Sequence, residues 1–315
     1  MKNTINFAPM KTNRAEVSIS IVLCTCNGEK YLVEQMNSLI HQTYPFLELI
    51  IVDDASTDST YDILQSYRAK DKRIKIFRNE KNLGFNKNFE KAIGLASGEW
   101  ISLADQDDVW VLEKLEIMSK NIDKNVSLIH CSSSKFQHDN IQQQKHYSRY
   151  QKFSGNDRRK IYLINSIEGH AMLMHRNVLQ KAFPLPENIY FDWWIGFHAA
   201  LQGTVVWDKN VLVKRRIHDK NSSLLQIKKL QKEKKQHEQA LHYTQLFNKY
   251  AGKDKKTFLF GQKLESCLTK AIRGEKWPLF LFVMQYRKIV FYYKPKRPII
   301  GFFSYCKAAF RLAQI

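Results

Sequence analysis

Three aspartates, Asp105, Asp107 and Asp108, stand within four residues in "LADQDDVW" (103–110). Carboxylates this close repel one another, and beside an apolar run they lose hydration, so both effects oppose ionisation. A hard divalent cation such as Mg²⁺ or Mn²⁺ relieves both, because one or two carboxylates hold it while phosphate oxygens and water complete its shell. A bound diphosphate would bring such a cation with it. The plainer role, capping a helix that starts near Val111, fits Asp108 alone; three acids exceed what a cap needs. A second acidic pair, Asp53 and Asp54 in "VDDASTD", is open between two roles. One is turn and capping chemistry. In the other, one carboxylate accepts a ring N–H from a nucleotide base, selecting uracil or thymine, while its neighbour stays structural. Asp192 precedes an apolar helix in "YFDWWIGFHAALQG", where an N-cap is the plain reading, and His170 in "EGHAMLMHRNVL" reads as structural.

The elements around these residues alternate. "VSISIVLC" (17–24) is apolar almost throughout, the pattern of a strand buried on both faces. Tyr31, Leu32, Gln35, Met36, Leu39 and Ile40 then recur at helical spacing, ending before Pro45. "LELIIV", "RIKIFRN" and "GEWISLA" repeat the strand signal, with helical segments between them. The series predicts an α/β fold with a mostly parallel central sheet flanked by helices. In such sheets ligands bind at the carboxyl ends of the strands. Thr25 and Asn27 follow the first strand, Asp53 and Asp54 the second, and the acidic triplet the fourth, so one crevice collects them.

With 315 residues the chain can bury a real active site. Its net charge of +20 points to a polyanionic partner, nucleic acid or an anionic membrane face. The five cysteines form no CxxC pair, which argues against a disulfide framework or zinc site and for a reducing compartment. No apolar leader precedes Val17, and the longest apolar stretch, "WPLFLFVMQY" (277–286), falls short of the roughly 20 residues that span a bilayer.

"SIVLCTCNGEKYLVEQMNSLIHQTYPFLELIIVDDASTDST", "NLGFNKNFEKAIGLASGEW" and "ADQDDVW" together resemble the N-terminal half of family 2 glycosyltransferases with the GT-A fold, most closely bacterial rhamnosyltransferase-like members of polysaccharide synthesis. The resemblance runs in order from about residue 17 to 115. It implies a nucleotide-diphosphate sugar donor, leaning to dTDP-rhamnose with UDP-sugars close behind, a divalent metal (Mg²⁺ or Mn²⁺) and inversion at the anomeric carbon. By position it implies that Thr25, Asn27 and Asp54 line the nucleoside pocket, Asp107 lies near the ribose, and Asp108 binds the metal with Asp105 assisting. It makes Asp192 the general base that takes the proton of the acceptor hydroxyl. "VLVKRRIHDKNSS" resembles the family's R-x-H segment, so Arg216 would meet the diphosphate and His218 the metal or phosphate, with "HDKNSS" ordering on substrate. The family often carries an aromatic residue where this chain has Cys26.

The organisation expected is an N-terminal extension (1–16), a GT-A domain (17–225) and a helical, basic C-terminal region (226–315). Residues 272–315 hold nine Lys or Arg, one acid and eleven aromatics. Such helices lie in membrane interfaces, or pack on the catalytic domain, or both. The expected enzyme is cytoplasmic, peripheral at the inner face of the plasma membrane, and extends a lipid-linked cell-surface glycan. A nucleic-acid-binding protein is the alternative that the charge suggests. It fits less well, because the expected cleft is acidic and would repel a phosphate backbone.

Overall fold

The protein is described from a computed structural model, which covers residues 17–137, 150–219, 233–252, 254–294 and 300–314. The expected N-terminal extension, the middle of the polar stretch 132–168, the residues just after Asp219 and the expected boundary at 225 lie outside the described residues.

The chain begins β1 (Ile19–Thr25), α1 (Glu29–Ile40), β2 (Glu48–Asp53), α2 (Thr60–Arg68), β3 (Ile74–Arg78), α3 (Phe85–Leu95), β4 (Trp100–Asp105). It continues with β5 (Val109–Trp110), α4 (Lys114–Ser119), β6 (Val126–Gln137), β7 (Met172–His175), α5 (Asn177–Ala182), α6 (Phe191–Gln202) and β8 (Thr204–Ile217). Five further helices follow among the described residues: α7 (Glu233–Tyr250), α8 (Lys255–Ile272), α9 (Trp277–Gln285), α10 (Arg287–Val290) and α11 (Ile300–Gln314).

The strands form one eight-stranded sheet in the order β3-β2-β1-β4-β7-β6-β8-β5. The first four are mutually parallel, so their carboxyl ends share one edge. Beyond β4 the sheet turns mixed: β7 is antiparallel to β4 and β6, β8 runs parallel to β6, and the two-residue β5 is antiparallel to β8. The parallel expectation therefore describes the N-terminal half, and hairpin-like returns complete the rest.

Alternation along β1 explains the two cores. Ile19, Ile21 and Leu23 face α1 and join Leu32, Met36, Leu39 and Trp110. Val22 faces the other side, with Phe89, Ile101, Trp194 and Phe197. Helix α6 is buried nearly all round, as a helix must be when it lies between a sheet and other helices. Its outer side meets the C-terminal region: Phe247 of α7 is fully buried and stacks on Phe197 at 4.3 Å. Phe260, Leu264, Leu268, Phe282 and Val283 extend the same cluster through α8 and α9. Truncating Phe247 to Ala in such a position costs about 3–5 kcal/mol.

Candidate active site

The carboxyl ends of β1, β2, β4 and β8, the turn at Gly169–Ala171 and the start of α6 surround one cleft of about 1780 Å³. Its first wall is the loop after β1. Thr25 Oγ1 donates to Asp53 Oδ1 at 2.9 Å, and Asn27, in the left-handed region at φ 48, accepts the Thr57 N–H on Oδ1 at 2.8 Å. Gln106 grips this loop from the acidic segment: its Oε1 accepts the Cys26 N–H at 2.8 Å and its Nε2 donates to the Cys26 carbonyl at 3.0 Å. A Cβ at Gly28 would press on the Gln106 amide and displace it from this grip.

At the end of β2, Asp53 is fully buried and accepts from Thr25, from Ser56 Oγ (2.5 Å) and from the Ser56 N–H (3.1 Å), with Arg78 Nε 3.4 Å away. Asp54 lines the cleft and accepts from Asn79 Nδ2 (2.7 Å) and from the Leu83 and Gly84 N–H groups (2.8 and 3.0 Å). It anchors the 82–84 loop at this end of the cleft. Cys26 Sγ accepts from Asn82 Nδ2 at 3.2 Å at the same mouth.

The acidic triplet splits by role. Asp107 faces His218, whose Nε2 lies 2.7 Å from its Oδ2. Burial and the neighbouring Asp105 push the Asp107 carboxyl up, while His218 opposes the shift. Asp108 is buried, and its Oδ1 accepts the Arg216 N–H at 3.0 Å while its Oδ2 has no hydrogen-bond partner. Burial pushes its pKa up to about 8, with Asp107 and Asp105 adding to the rise and His170 opposing it. His170 Nδ1 stands 3.4 Å from Asp105 Oδ2 and 3.6 Å from Asp108 Oδ2. Burial disfavours its charged form, but Asp108, Asp105 and Glu168 outweigh this and raise its pKa.

Asp105, Asp108 and His170 each offer one ligand atom within 4.8 Å of the others. Two carboxylates and an imidazole suit Mn²⁺ or Mg²⁺, and the orphaned, buried Asp108 oxygen is the atom that a cation would satisfy. The residues therefore fit a divalent metal. Behind His170, Glu168 Oε2 lies 3.7 Å from Nε2 and is tied to Lys152 and Ser133, each at 2.7 Å. Burial opposes ionisation of Glu168, yet Lys152 and His170 hold its carboxyl well below the usual range.

Two expected contacts are built differently. His218 lies against Asp107, outside the Asp105–Asp108–His170 group. Arg216 does not line the cleft. Its guanidinium is buried between the rings of Tyr31 (4.4 Å) and Phe136 (4.6 Å), pairs with Glu34 and donates from Nε to the Asp107 carbonyl at 3.0 Å. Successive strand residues point to opposite faces, so at the end of β8 it is Arg215 that lines the cleft. His170, read from sequence as structural, stands in the centre of the site. The polar spacing of Glu168 and His170 ahead of the β7 apolar run was the signal for it.

Asp192 lies in the first turn of α6, two residues past the N-cap position held by Tyr190, and no side chain caps this helix. Its Oδ1 accepts the Trp193 N–H at 2.7 Å. Burial pushes its pKa up to about 6, while the Trp193 N–H and His170 oppose the rise. Gly169 permits the turn that carries His170 to pass under α6, since a Cβ there would meet the Phe191 ring at 2.6 Å. The cleft thus joins a group whose donor set fits a divalent cation and a carboxyl whose pKa suits proton transfer near neutral pH.

Residues 20–183 match the sequence family described as glycosyl transferase family 2. Among curated relatives, a putative teichuronic acid biosynthesis glycosyltransferase, TuaG, of Bacillus subtilis is 39% identical over 98 residues, 31% of this chain and 39% of that protein. The Escherichia coli enzyme WfgD, a UDP-Glc:alpha-D-GlcNAc-diphosphoundecaprenol beta-1,3-glucosyltransferase, is 33% identical over 114 residues, 36% of this chain and 44% of that protein. These matches span well under half the length of either relative. Among solved structures, S. aureus TarS 1–349 in complex with UDP-GlcNAc superposes with a TM-score of 0.61 at 19% identity, covering 93% of this chain and 88% of that one. The mannosyltransferase PcManGT of Pyrobaculum calidifontis, in complex with GDP-Man and Mn²⁺, gives 0.59 at 17% identity, covering 98% and 90%. At these identities the likeness is one of fold, the GT-A fold. With the family segment spanning β1 to α5 and every strand of the parallel block within it, this chain belongs to glycosyl transferase family 2.

Proposed function

We propose that this glycosyltransferase moves a sugar, with inversion, from a nucleoside-diphosphate donor to a hydroxyl of a lipid-linked glycan, and that a divalent cation assists. The observation that carries the reading is one cleft holding Asp192 and the Asp105–Asp108–His170 group together. At about 1780 Å³ it exceeds the ~300–1,000 Å³ of a single-ligand pocket, so donor and acceptor can be held at once. TuaG and WfgD favour a cell-envelope glycan, and the name of WfgD favours a lipid-linked acceptor.

Each residue then has a task. Thr25, Asn27 and Asp54 shape the nucleoside pocket, and the amide of Gln106 keeps the Cys26 loop open to the base. Asp107, held by His218, faces the ribose. Asp108 and Asp105 hold the cation with His170, and Glu168 orients the imidazole from behind. When bound, the cation neutralises charge on the diphosphate as the glycosidic bond breaks. Arg216 fixes Asp107 and Asp108 through their backbone and side chain, while Arg215 stands on the cleft side toward the diphosphate. Asp192 accepts the proton of the attacking hydroxyl, and its raised pKa makes it a stronger base than an exposed aspartate. The donor reading leans to dTDP-rhamnose, with UDP-sugars next.

The C-terminal helices supply a surface that suits the membrane role. Trp277 (68% exposed) and Leu281 (62%) share one face of α9, and Phe303 (74%) projects from α11, which packs on α9. Arg273, Lys288, Lys307 and Arg311 are exposed nearby in sequence. Aromatic and basic side chains arranged so favour the anionic inner leaflet of the plasma membrane, where the protein would sit peripherally. No described helix is long and apolar enough to cross a membrane.

The test is a panel of UDP-, dTDP- and GDP-sugars, followed by nucleoside diphosphate release with Mn²⁺, with Mg²⁺ and with EDTA, and by the anomeric coupling constant of the product. One donor consumed only with metal, giving the inverted anomer, is the expected result. Retention of configuration, or full activity in EDTA, would overturn the reading.

A further inference from the structure

Helix α7 lies outside the family-matched segment, yet Gln239 and Tyr243 line the same cleft as Asp192. Tyr243 stands edge-on to Trp193, the residue after Asp192, with ring centroids 5.0 Å apart. The Trp193 indole is itself fixed, since Nε1 donates to the Ile161 carbonyl at 2.6 Å. Gln239 Nε2 donates to the Tyr243 hydroxyl at 3.0 Å, which orients the amide, and its Oε1 accepts no hydrogen bond from the described residues. Burial pushes the Tyr243 hydroxyl up to about 12, and Tyr190 and Asp192 are close enough to add to the shift. The hydroxyl therefore stays protonated beside the carboxylate.

A second lip of the cleft is aromatic. Phe85 is 49% exposed and rests on Phe89 (4.9 Å) and Phe191 (5.2 Å), which stack on each other at 4.7 Å. Asn86 holds this lip in place by donating to the Ile189 carbonyl at 2.8 Å. The charges at this end are paired, Lys87 with Glu187 at 2.8 Å. Exposed ring faces and an amide oxygen match a neutral sugar: its C–H face covers a ring and its hydroxyls pair with amides.

We propose that Gln239, Phe85 and Trp193 form the subsite for the terminal sugar of the acceptor, a neutral pyranose, with Tyr243 as the positioning residue that holds the Gln239 amide. This rests on the reading of Asp192 as the base. Gln239 Oε1 accepts from a sugar hydroxyl, the rings of Phe85 and Trp193 flank the pyranose, and the hydroxyl to be glycosylated faces Asp192. Part of acceptor choice then resides in α7, outside the family-matched segment, which supplies the hydrogen-bonding amide to ring faces from α3 and α6.

The test uses saturation-transfer NMR on the full chain with Mg²⁺ and UDP, dTDP or GDP, and methyl glycosides of glucose, galactose, mannose, N-acetylglucosamine and rhamnose as probes. At least one glycoside should bind, and Gln239→Ala and Phe85→Ala should each weaken it about fivefold or more. Tyr243→Phe should weaken it by less, at an unchanged thermal midpoint, which a merely structural role of the hydroxyl would not produce. No glycoside binding while a nucleoside diphosphate binds, or glycoside affinity unchanged in Gln239→Ala, would overturn the subsite. Glycoside binding that depends on Gln239 in a protein that binds no nucleoside diphosphate would leave the subsite standing and sink the transferase reading instead.

Discussion

Two aspartate pairs flank β1, and the protein treats them in opposite ways. Asp53 and Asp54, after β2, are saturated: hydroxyl, amide and backbone donors meet their oxygens and tie three loops together. Asp108, after β4, is buried beside Asp105 and Asp107, and its Oδ2 has no hydrogen-bond partner among the described residues. The same dipeptide at the same edge of one sheet thus builds a donor-saturated scaffold in one place and leaves a buried carboxylate oxygen without a donor in the other. What separates them is the number of N–H and O–H groups that the surrounding chain delivers, because an ionised carboxylate without donors is costly to bury.

The largest expected effect tests the unpartnered Asp108 oxygen. Asp108→Asn should abolish metal-dependent binding of a nucleoside diphosphate, since a neutral amide is a poor ligand for a hard cation. Calorimetry with UDP and dTDP, with and without Mn²⁺, reads it, and undiminished metal-dependent binding would make the second pair structural as well. Asp192→Asn comes next. Transfer should fall by at least ~10²-fold while donor binding holds. In the parent protein the rate should rise with pH through about 6, as the Asp192 carboxyl loses its proton. Near-normal turnover would remove Asp192 from the mechanism.

Stability distinguishes the pairs directly. Asp53→Asn leaves buried donors facing an amide and should cost about 1–3 kcal/mol by denaturant titration. Asp108→Asn, in buffer free of divalent cations, should cost less, and its pH dependence carries the sign. The Asp108 pKa is about 8 in the folded protein, against about 3.9 in an unfolded chain. Between those values the folded state binds the extra proton, so stability falls as pH rises through that window. The substitution should flatten this slope. A steeper slope, or a larger loss than in Asp53→Asn, would reverse the contrast drawn here.

The smallest expected effect concerns the C-terminal surface. Sedimentation with anionic liposomes should exceed that with neutral ones and weaken with salt, each basic side chain near the lipid contributing about 1 kcal/mol. Trp277→Ala should weaken it further. Equal binding to both vesicles would mean that aromatic insertion, not charge, dominates.

Much of the donor side was legible in the chain, because period and spacing are local. The buried run of β1, the helical stripe of α1 and the acids at strand ends place Thr25, Asp54 and Asp108 on one edge without reference to anything distant. The return half was less so. β7 is four residues long and antiparallel, and the turn before it brings His170 to Asp105 and Asp108 across more than sixty residues of sequence. Arg216 illustrates the same limit: a one-residue difference on β8 decides which of two adjacent arginines meets the cleft, and a motif cannot supply that parity.

Fold class, family and the edge of the sheet where chemistry collects were readable from the chain alone, since hydrophobic period and turn residues act over a few positions. Long-range packing sets which carboxylates meet donors and which do not, places Glu168 and Lys152 behind His170, and brings α7 back to wall the cleft beside Asp192. Those outcomes depend on donors and rings arriving from remote segments, and the free energy of a buried polar group is set by its complete surroundings and not by its neighbours in the chain.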